Sequence, residues 1–496
     1  MKRHLENIRR IAKGDGVLTA CGALLLLIFG IIAWLSAGLE KYGNLETDRL
    51  LTFIGLYMGA GAVFIVAVNR VVKGAARIHL AVLMGVGVVM RLTMFPSTPI
   101  IENDYYRYLW DGALSAHGQN PYVHAPSAYM SATSPNLSFE VTPEGRRTLT
   151  KINFPEVRTI YPPVAQGAFA LAYMLYPFDV VGLRMVYLLF DLITLVLLWR
   201  LLGALKRQSM WLLVYWWNPL VVKELFNSVH MDGLIFPFML GALLLLIQKR
   251  SLFATVCVVC AAGVKLWPIL GLVFVMAHIL RTPSSQRMHT SWSRMGTLVA
   301  SLGIALGILA LLALPVFISR PDDTSGFVTY TLHWRNNDGV FRLVFHGLKW
   351  VLHLSGQSDR AYRYARYATG VLYVGLLLLI LRQWKNDAGH TVMAFLLAIG
   401  GLFILSPTQF PWYATWLIPL LALHHWFPFH LYTLLLPLYY LQHWCAKTGH
   451  LPWFEGAVVW LEHVPVWVAL VLWHRYQVDA PSRILIFRKL LNATRT

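Results

Sequence analysis

Charge is what this chain lacks. Only 13% of its 496 residues are Asp, Glu, Lys or Arg, against about 25% in an ordinary soluble protein. A water-soluble globular fold is therefore excluded. Acids are the scarcer sign, 23 against 42 Lys and Arg. Cysteine is scarce too. Cys21, Cys257, Cys260 and Cys445 all lie in or beside apolar runs, so no disulfide framework follows. Cys257-x-x-Cys260 sits among Val, Ala and Leu and reads as buried helix surface, not as a metal or redox pair. There is no short-period repeat and no low-complexity segment, which excludes a repeat array.

What is present is apolar length. Hydrophobic residues make up 57% of the chain, in many runs near the ~20 residues that cross a bilayer. The net charge of +19 sits largely in short connectors and tails, as the positive-inside rule requires, so no nucleic-acid partner is called for. The first run is too long for a signal peptide and is followed by further spans. The tail Met1–Gly16 has five Lys/Arg against two acids and is placed in the cytoplasm.

The expected fold is an all-α polytopic membrane protein with about 14 transmembrane helices and a large outer loop carrying juxtamembrane helices. The run 162–178, bracketed by Pro162, Pro163 and Pro177, is read as juxtamembrane because about 14 residues are short for a span. Runs 210–226, 252–265, 267–280 and 411–426 are read as spans. Basic residues in connector 281–296 (Arg281, Arg287, Arg294) and in the tail (Arg483, Arg488, Lys489, Arg495) agree with a cytoplasmic side. The expected division is 1–77, a tail and N-terminal hairpin; 78–318, a catalytic module with outer loop 96–160; 319–366, a second outer loop; and 367–496, C-terminal helices and a basic tail.

This topology puts the polar interruptions on one outer face. The richest is Glu102-Asn103-Asp104-Tyr105-Tyr106-Arg107-Tyr108-Leu109-Trp110-Asp111, running on to Asn120-Pro121-Tyr122. Acids beside hydrocarbon mark a site by default. Asp104, Arg107, Tyr108 and Asp111 share one helical face, which is also what a solvated polar face looks like. Tyr105, Leu109 and Trp110 on the other side suit the membrane interface. Asn227, His230 and Asp232 form a second group, equally readable as a polar helix cap; two plausible ligands at this spacing make a weak metal site. Lys265 interrupts apolar sequence and needs an anion, either a ligand phosphate or an internal partner. Gln409, Trp412 and Tyr413 follow the rigid Ser406–Pro411 turn and could line a sugar pocket or simply form a proline turn with belt aromatics. Arg335 lies in the turn Trp334–Gly339 of the second outer loop.

The pattern Asp-x-x-Arg-Tyr, Gly, Asn-Pro-Tyr in the first large outer loop resembles bacterial polyprenyl-phosphate-mannose-dependent mannosyltransferases of the GT-C superfold. Asn218-Pro219 with Asn227, His230 and Asp232, the Lys265-x-x-Pro268 break and Pro411-Trp412-Tyr413 fit the same order of elements, from about residue 78 to 426. The acidic loop follows the third span here rather than the first, so residues 17–69 form an added hairpin, and the segment after 429 is poorly covered.

The resemblance implies a donor sugar, most readily mannose, on a polyprenyl phosphate. Its acceptor is a lipid- or glycan-linked hydroxyl, met at the periplasmic face of the bacterial inner membrane among membrane lipids. Asp104 is then the general base of an inverting displacement. Arg107, Tyr108, Asp111, Asn120, Tyr122, Asn227, His230, Asp232, Lys265, Arg335, Gln409, Trp412 and Tyr413 are candidates for donor or acceptor binding. Phosphate leaves readily, so no cofactor or metal is demanded. The rival classes are a secondary transporter or lipid flippase, which favours polar groups at the midplane and two similar halves, and a lipid-linked glycan ligase or polymerase, which takes a diphosphate donor.

Overall fold

The computed structural model describes residues 15–41, 43, 45–76, 78–131, 134–282, 293–320, 325–326, 334–354 and 357–475. The N-terminal tail, Arg77, Arg287, the C-terminal basic tail and residues 321–324, 327–333 and 355–356 of loop 319–366 lie outside the described residues.

The fold is built from helices. Leading the chain is a hairpin of α1 (Gly16–Leu35) and α2 (Thr47–Val72). The Asp15 side chain caps α1 by accepting from Val17 N and pairs with Arg70 at the far end of α2, 2.9 Å away. Next comes α3 (Leu80–Thr93), then the first large loop with α4 (Asp104–Ala116), α5 (Pro143–Thr150) and α6 (Pro163–Leu175). With 13 residues, α6 is about 20 Å long and too short to cross ~30 Å of hydrocarbon. Instead it packs along α4, where Gly112 allows the contact: a Cβ there would lie 2.5 Å from the Phe169 carbonyl oxygen. A long helix, α7 (Val180–Ala204), capped by Asp179, returns through the bundle.

After α7 the helices are broken. The expected single span 210–226 is instead a series of short turns ending in Pro219–Asn227, which meets Met231–Ile247 at 106°. Pro219, with no N–H to donate, suits the start of that segment. Val229 lies in the break with φ 62°, a left-handed conformation that β-branched residues avoid. The straight part of the second arm is α8 (Ile235–Ile247), followed by α9 (Ser251–Ala262) and α10 (Gly271–Arg281) on either side of the Lys265 break. The remainder comprises α11 (Arg294–Ile318), α12 (Val340–His353), α13 (Ala361–Gln383), α14 (Ala388–Leu405), several short turns, and α15 (Leu451–Arg475).

Among the described residues seven helices are long and apolar enough to cross a membrane, or eight if the bent pair is one span. Leu80–Thr93, Pro163–Leu175, Ser251–Ala262, Trp267–Arg281 and Pro411–Leu423 are shorter. The count of about 14 therefore treats several short and broken helices as full spans. Hydropathy measures apolar length and is blind to the Pro and polar breaks that interrupt it.

The core carries charge where it is paired. Arg91 of α3 donates to Asp191 of α7 at 2.5 Å, and Tyr215 donates to the other carboxylate oxygen. Arg91 also reaches the Gly87 and Trp216 carbonyls. Intramembrane charges persist when each is met in this way.

Candidate active site

The loop entering α4 is pinned from below by two side chains. Arg184 of α7, 1% exposed, donates to four backbone carbonyls: Phe95 and Ser97 on that loop, Phe226 and Asn227 at the bent-helix break. The Asn227 side chain accepts from Ile100 N and donates to Ser97 Oγ and Thr98 O. One arginine and one asparagine thus fasten the acidic loop to the break that carries His230. The chain then passes Ile101 at φ 53°, a second β-branched residue in the left-handed region. Strain of this kind persists only where surrounding structure enforces it. The two strained residues directly precede Glu102 and His230.

Those two side chains meet. His230 Nε2 lies 3.6 Å from Glu102 and 3.9 Å from Glu224, and its ring stacks on Trp412 with centroids 3.8 Å apart. Glu224 is wholly buried and held by Tyr57 of α2, by Tyr440 and by Lys223 at 3.4 Å. Lys223 also donates to Ser228 and to Tyr440. This web ties the N-terminal hairpin and the C-terminal turns to the break.

Asp104 stands at the first position of α4, where the helix dipole favours an anion. It is half-buried, and among the described residues no protein group donates to its carboxylate. Burial, and then the neighbouring Glu102 charge, push its carboxyl above the ordinary value against the pull of His230, Lys41 and Lys265. Burial works the same way on Glu102, but the charge of His230, with Lys223 and Lys41, holds that carboxyl below its ordinary value. Two neighbouring carboxyls displaced in opposite directions are a mark of acid–base sites.

Beside them Lys265 pairs with Asp232 at 2.7 Å. The same Asp232 oxygen accepts from Trp416 Nε1 at 2.6 Å. The ammonium rests on Tyr413, 3.8 Å from the ring centroid, and near Trp416, so the internal partner that the sequence allowed for Lys265 is present. Trp412 lies between His230 and Phe410 in one stack, and Tyr413 stacks on Trp416. The polar groups thus stand on an aromatic floor. An apolar crevice lined by Ile235, Phe236, Met239, Trp267, Phe395 and Ile399 reaches this floor at Trp416.

The other candidates are near but engaged. Arg107 donates to the Phe154 and Val157 carbonyls. Tyr108 stacks on Phe169. Asp111 is 2% exposed and accepts from Gln166, so it faces α6 rather than solvent; burial raises its carboxyl. Asn120 donates to Pro315 O and Tyr122 to Tyr161 O. Gln409 donates to the Ile404 and Ser406 carbonyls. Arg335 and Arg342 both pair with buried Asp338. Its turn is stitched to the Pro407–Gln409 backbone and, through Asn337, to Glu462 of α15 at 2.6 Å.

The face of α4 that was expected to lie in the membrane interface is covered instead. Tyr105 and Leu109 are buried, and Trp110 sits in a small separate core with Leu114, Leu149, Ile152 and Phe178, because the rest of the loop folds back over it. Among the described residues no three His, Cys, Asp or Glu side chains are arranged to hold a metal ion.

The chain matches known sequences over long stretches. A family model described as alpha-(1->6)-mannopyranosyltransferase, N-terminal domain, matches residues 29–281, half of the chain. The chain belongs to that family. A second model, glycosyltransferase family 87, matches residues 160–408. Alpha-(1->6)-mannopyranosyltransferase A of Mycobacterium tuberculosis (strain ATCC 25618 / H37Rv) is 25% identical over 396 residues, covering 74% of this chain and 70% of its own length. No solved structure matches. The protein is a multi-pass membrane glycosyltransferase of the mannosyltransferase class, as the resemblance implied. The family match begins at residue 29, inside α1.

Proposed function

We propose that the protein transfers mannose from a polyprenyl-phosphate donor to a glycan hydroxyl at the periplasmic face of the bacterial plasma membrane, with inversion, and with Asp104 as the general base. One observation carries this reading: a half-buried carboxyl that takes no protein hydrogen bond among the described residues, its pKa raised by burial, beside a salt-bridged lysine on an aromatic floor. The acceptor hydroxyl gives its proton to Asp104 as its oxygen bonds to the anomeric carbon. The phosphate departs with the electron pair of the broken C–O bond. A single base with no second nucleophile gives inversion. The name of the mycobacterial relative supports an α-(1→6) mannosyl linkage.

The test is mass analysis of products from purified protein given polyprenyl-monophosphate, polyprenyl-diphosphate and nucleotide sugars. Transfer from the monophosphate mannose alone is expected. Preference for the diphosphate donor moves the protein to the ligase or polymerase class.

A pH effect follows from the Glu102 charge. Asp104 works deprotonated, so transfer is lost as pH falls through its pKa, and a raised pKa brings that loss on at higher pH. Glu102→Gln removes a charge that raises it. The acid limb of kcat/KM should therefore move to lower pH in this variant. An unmoved limb means that Asp104 is not the titrating base.

A further inference from the structure

The proposed reaction releases a phosphate, and the cations that the sequence offered to it are occupied. Lys265 holds Asp232, Arg107 holds backbone carbonyls, and Arg335 and Arg342 hold Asp338. Lys223 and Arg184 are enclosed and fully engaged.

The connector of the N-terminal hairpin brings another. Ser36 Oγ accepts from Thr98 N at 3.0 Å, and the Leu39 carbonyl accepts from Ile101 N at 2.8 Å. The connector therefore runs along the acidic loop and holds the strained residue that aims Glu102. Two residues beyond Leu39 lies Lys41. It is exposed, and among the described residues it makes neither an ion pair nor a hydrogen bond. Its charge also acts on both Glu102 and Asp104. A lysine without a protein partner among the described residues is open to an anionic ligand, and it serves phosphate as a mobile point charge.

We propose that the hairpin α1–α2 completes the site: Ser36 and Leu39 fix the acidic loop, and Lys41 binds the phosphate of the lipid-linked donor. This rests on the donor class proposed above. As the anomeric C–O bond breaks, the phosphate takes the electron pair and gains charge, and Lys41 faces that charge. Neither half of the hairpin was given a role by its sequence, because Lys41 looks like any connector lysine until the Leu39–Ile101 hydrogen bond lays its connector along the acidic loop.

The experiment measures binding rather than turnover. Purified protein in phosphatidylcholine nanodiscs is titrated with polyprenyl monophosphate lacking a sugar, and tryptophan fluorescence reports occupancy. Lys41→Gln should weaken binding about tenfold or more, which is the order of one charge-assisted contact to phosphate. Lys41→Arg should stay within about threefold of the native protein. Phosphatidylglycerol at equal concentration should not compete. Native-like binding by Lys41→Gln, equal weakening by Lys41→Arg, or full competition by phosphatidylglycerol each overturns the role of Lys41 while leaving the donor class intact. Absence of binding by the native protein overturns the donor class and this proposal together.

Discussion

Asp104→Asn should lower transfer from polyprenyl-phosphate mannose by roughly 10²–10⁴-fold, the usual contribution of a positioned base, while the protein remains folded. The two parts of this expectation have separate physical grounds. Asparagine keeps the shape of aspartate but cannot accept the hydroxyl proton, so the loss falls on kcat. KM should change little, because donor contacts are assigned to other groups. Folding should survive because the carboxylate takes no protein hydrogen bond among the described residues and is half-buried. Its favourable place at the start of α4 is worth only about 0.3–1 kcal/mol. Steady-state kinetics of the purified variant beside a thermal melt reads both. A variant that transfers at the native rate removes Asp104 from the mechanism; one that fails to fold shows a structural role instead.

The second large effect lies in the Lys265–Asp232 pair. Asp232→Ala leaves the Lys265 ammonium among Tyr413 and Trp416 without its anion, and strands the Trp416 indole N–H. Removing one member of a buried pair costs about 3–5 kcal/mol. The low end is expected here, because Lys265 keeps 23% side-chain exposure. The double variant Asp232→Ala/Lys265→Met removes the uncompensated charge as well, so much of the lost stability should return. Transfer should not return, since the pair also fixes the break between α9 and α10 against the aromatic floor. Chemical unfolding in mixed micelles gives the coupling. A single-variant cost below about 1 kcal/mol, or an additive double variant, contradicts a tightly coupled pair.

Much of this arrangement was legible in residues alone. The α4 helix begins at Asp104, and the chain turns at Gly118 with φ 71°. The four polar interruptions around residues 104, 230, 265 and 409 do converge, through Glu102–His230, His230–Trp412, Asp232–Lys265 and Asp232–Trp416. Positive-inside counting had put them on one face before any contact was known. The partners were harder. Lys223-Glu224 inside an apolar run is a strong signal of intramembrane charge, but reading 210–226 as one unbroken span concealed it. Tyr57 and Tyr440 hold Glu224, yet a membrane tyrosine looks the same in sequence whether it joins a belt or a buried network. Asn120, Asn227 and Gln409, candidates for donor or acceptor binding, donate their amides to Pro315 O, to Ser97 Oγ and Thr98 O, and to Ile404 O respectively. Amides suit both tasks, and sequence alone offers no means of choosing. The cover over Trp110 needed the fold of residues 137–178, which no local pattern announces.

The measurement closest to the centre of this account is the anomeric configuration of the product. Purified protein is given a polyprenyl-monophosphate mannose of known configuration and a glycan acceptor, and the new linkage is read by NMR. Displacement assisted by one carboxylate at Asp104 predicts a linkage of the configuration opposite to the donor's. A product that keeps the donor's configuration, or no transfer from the monophosphate donor at all, contradicts it.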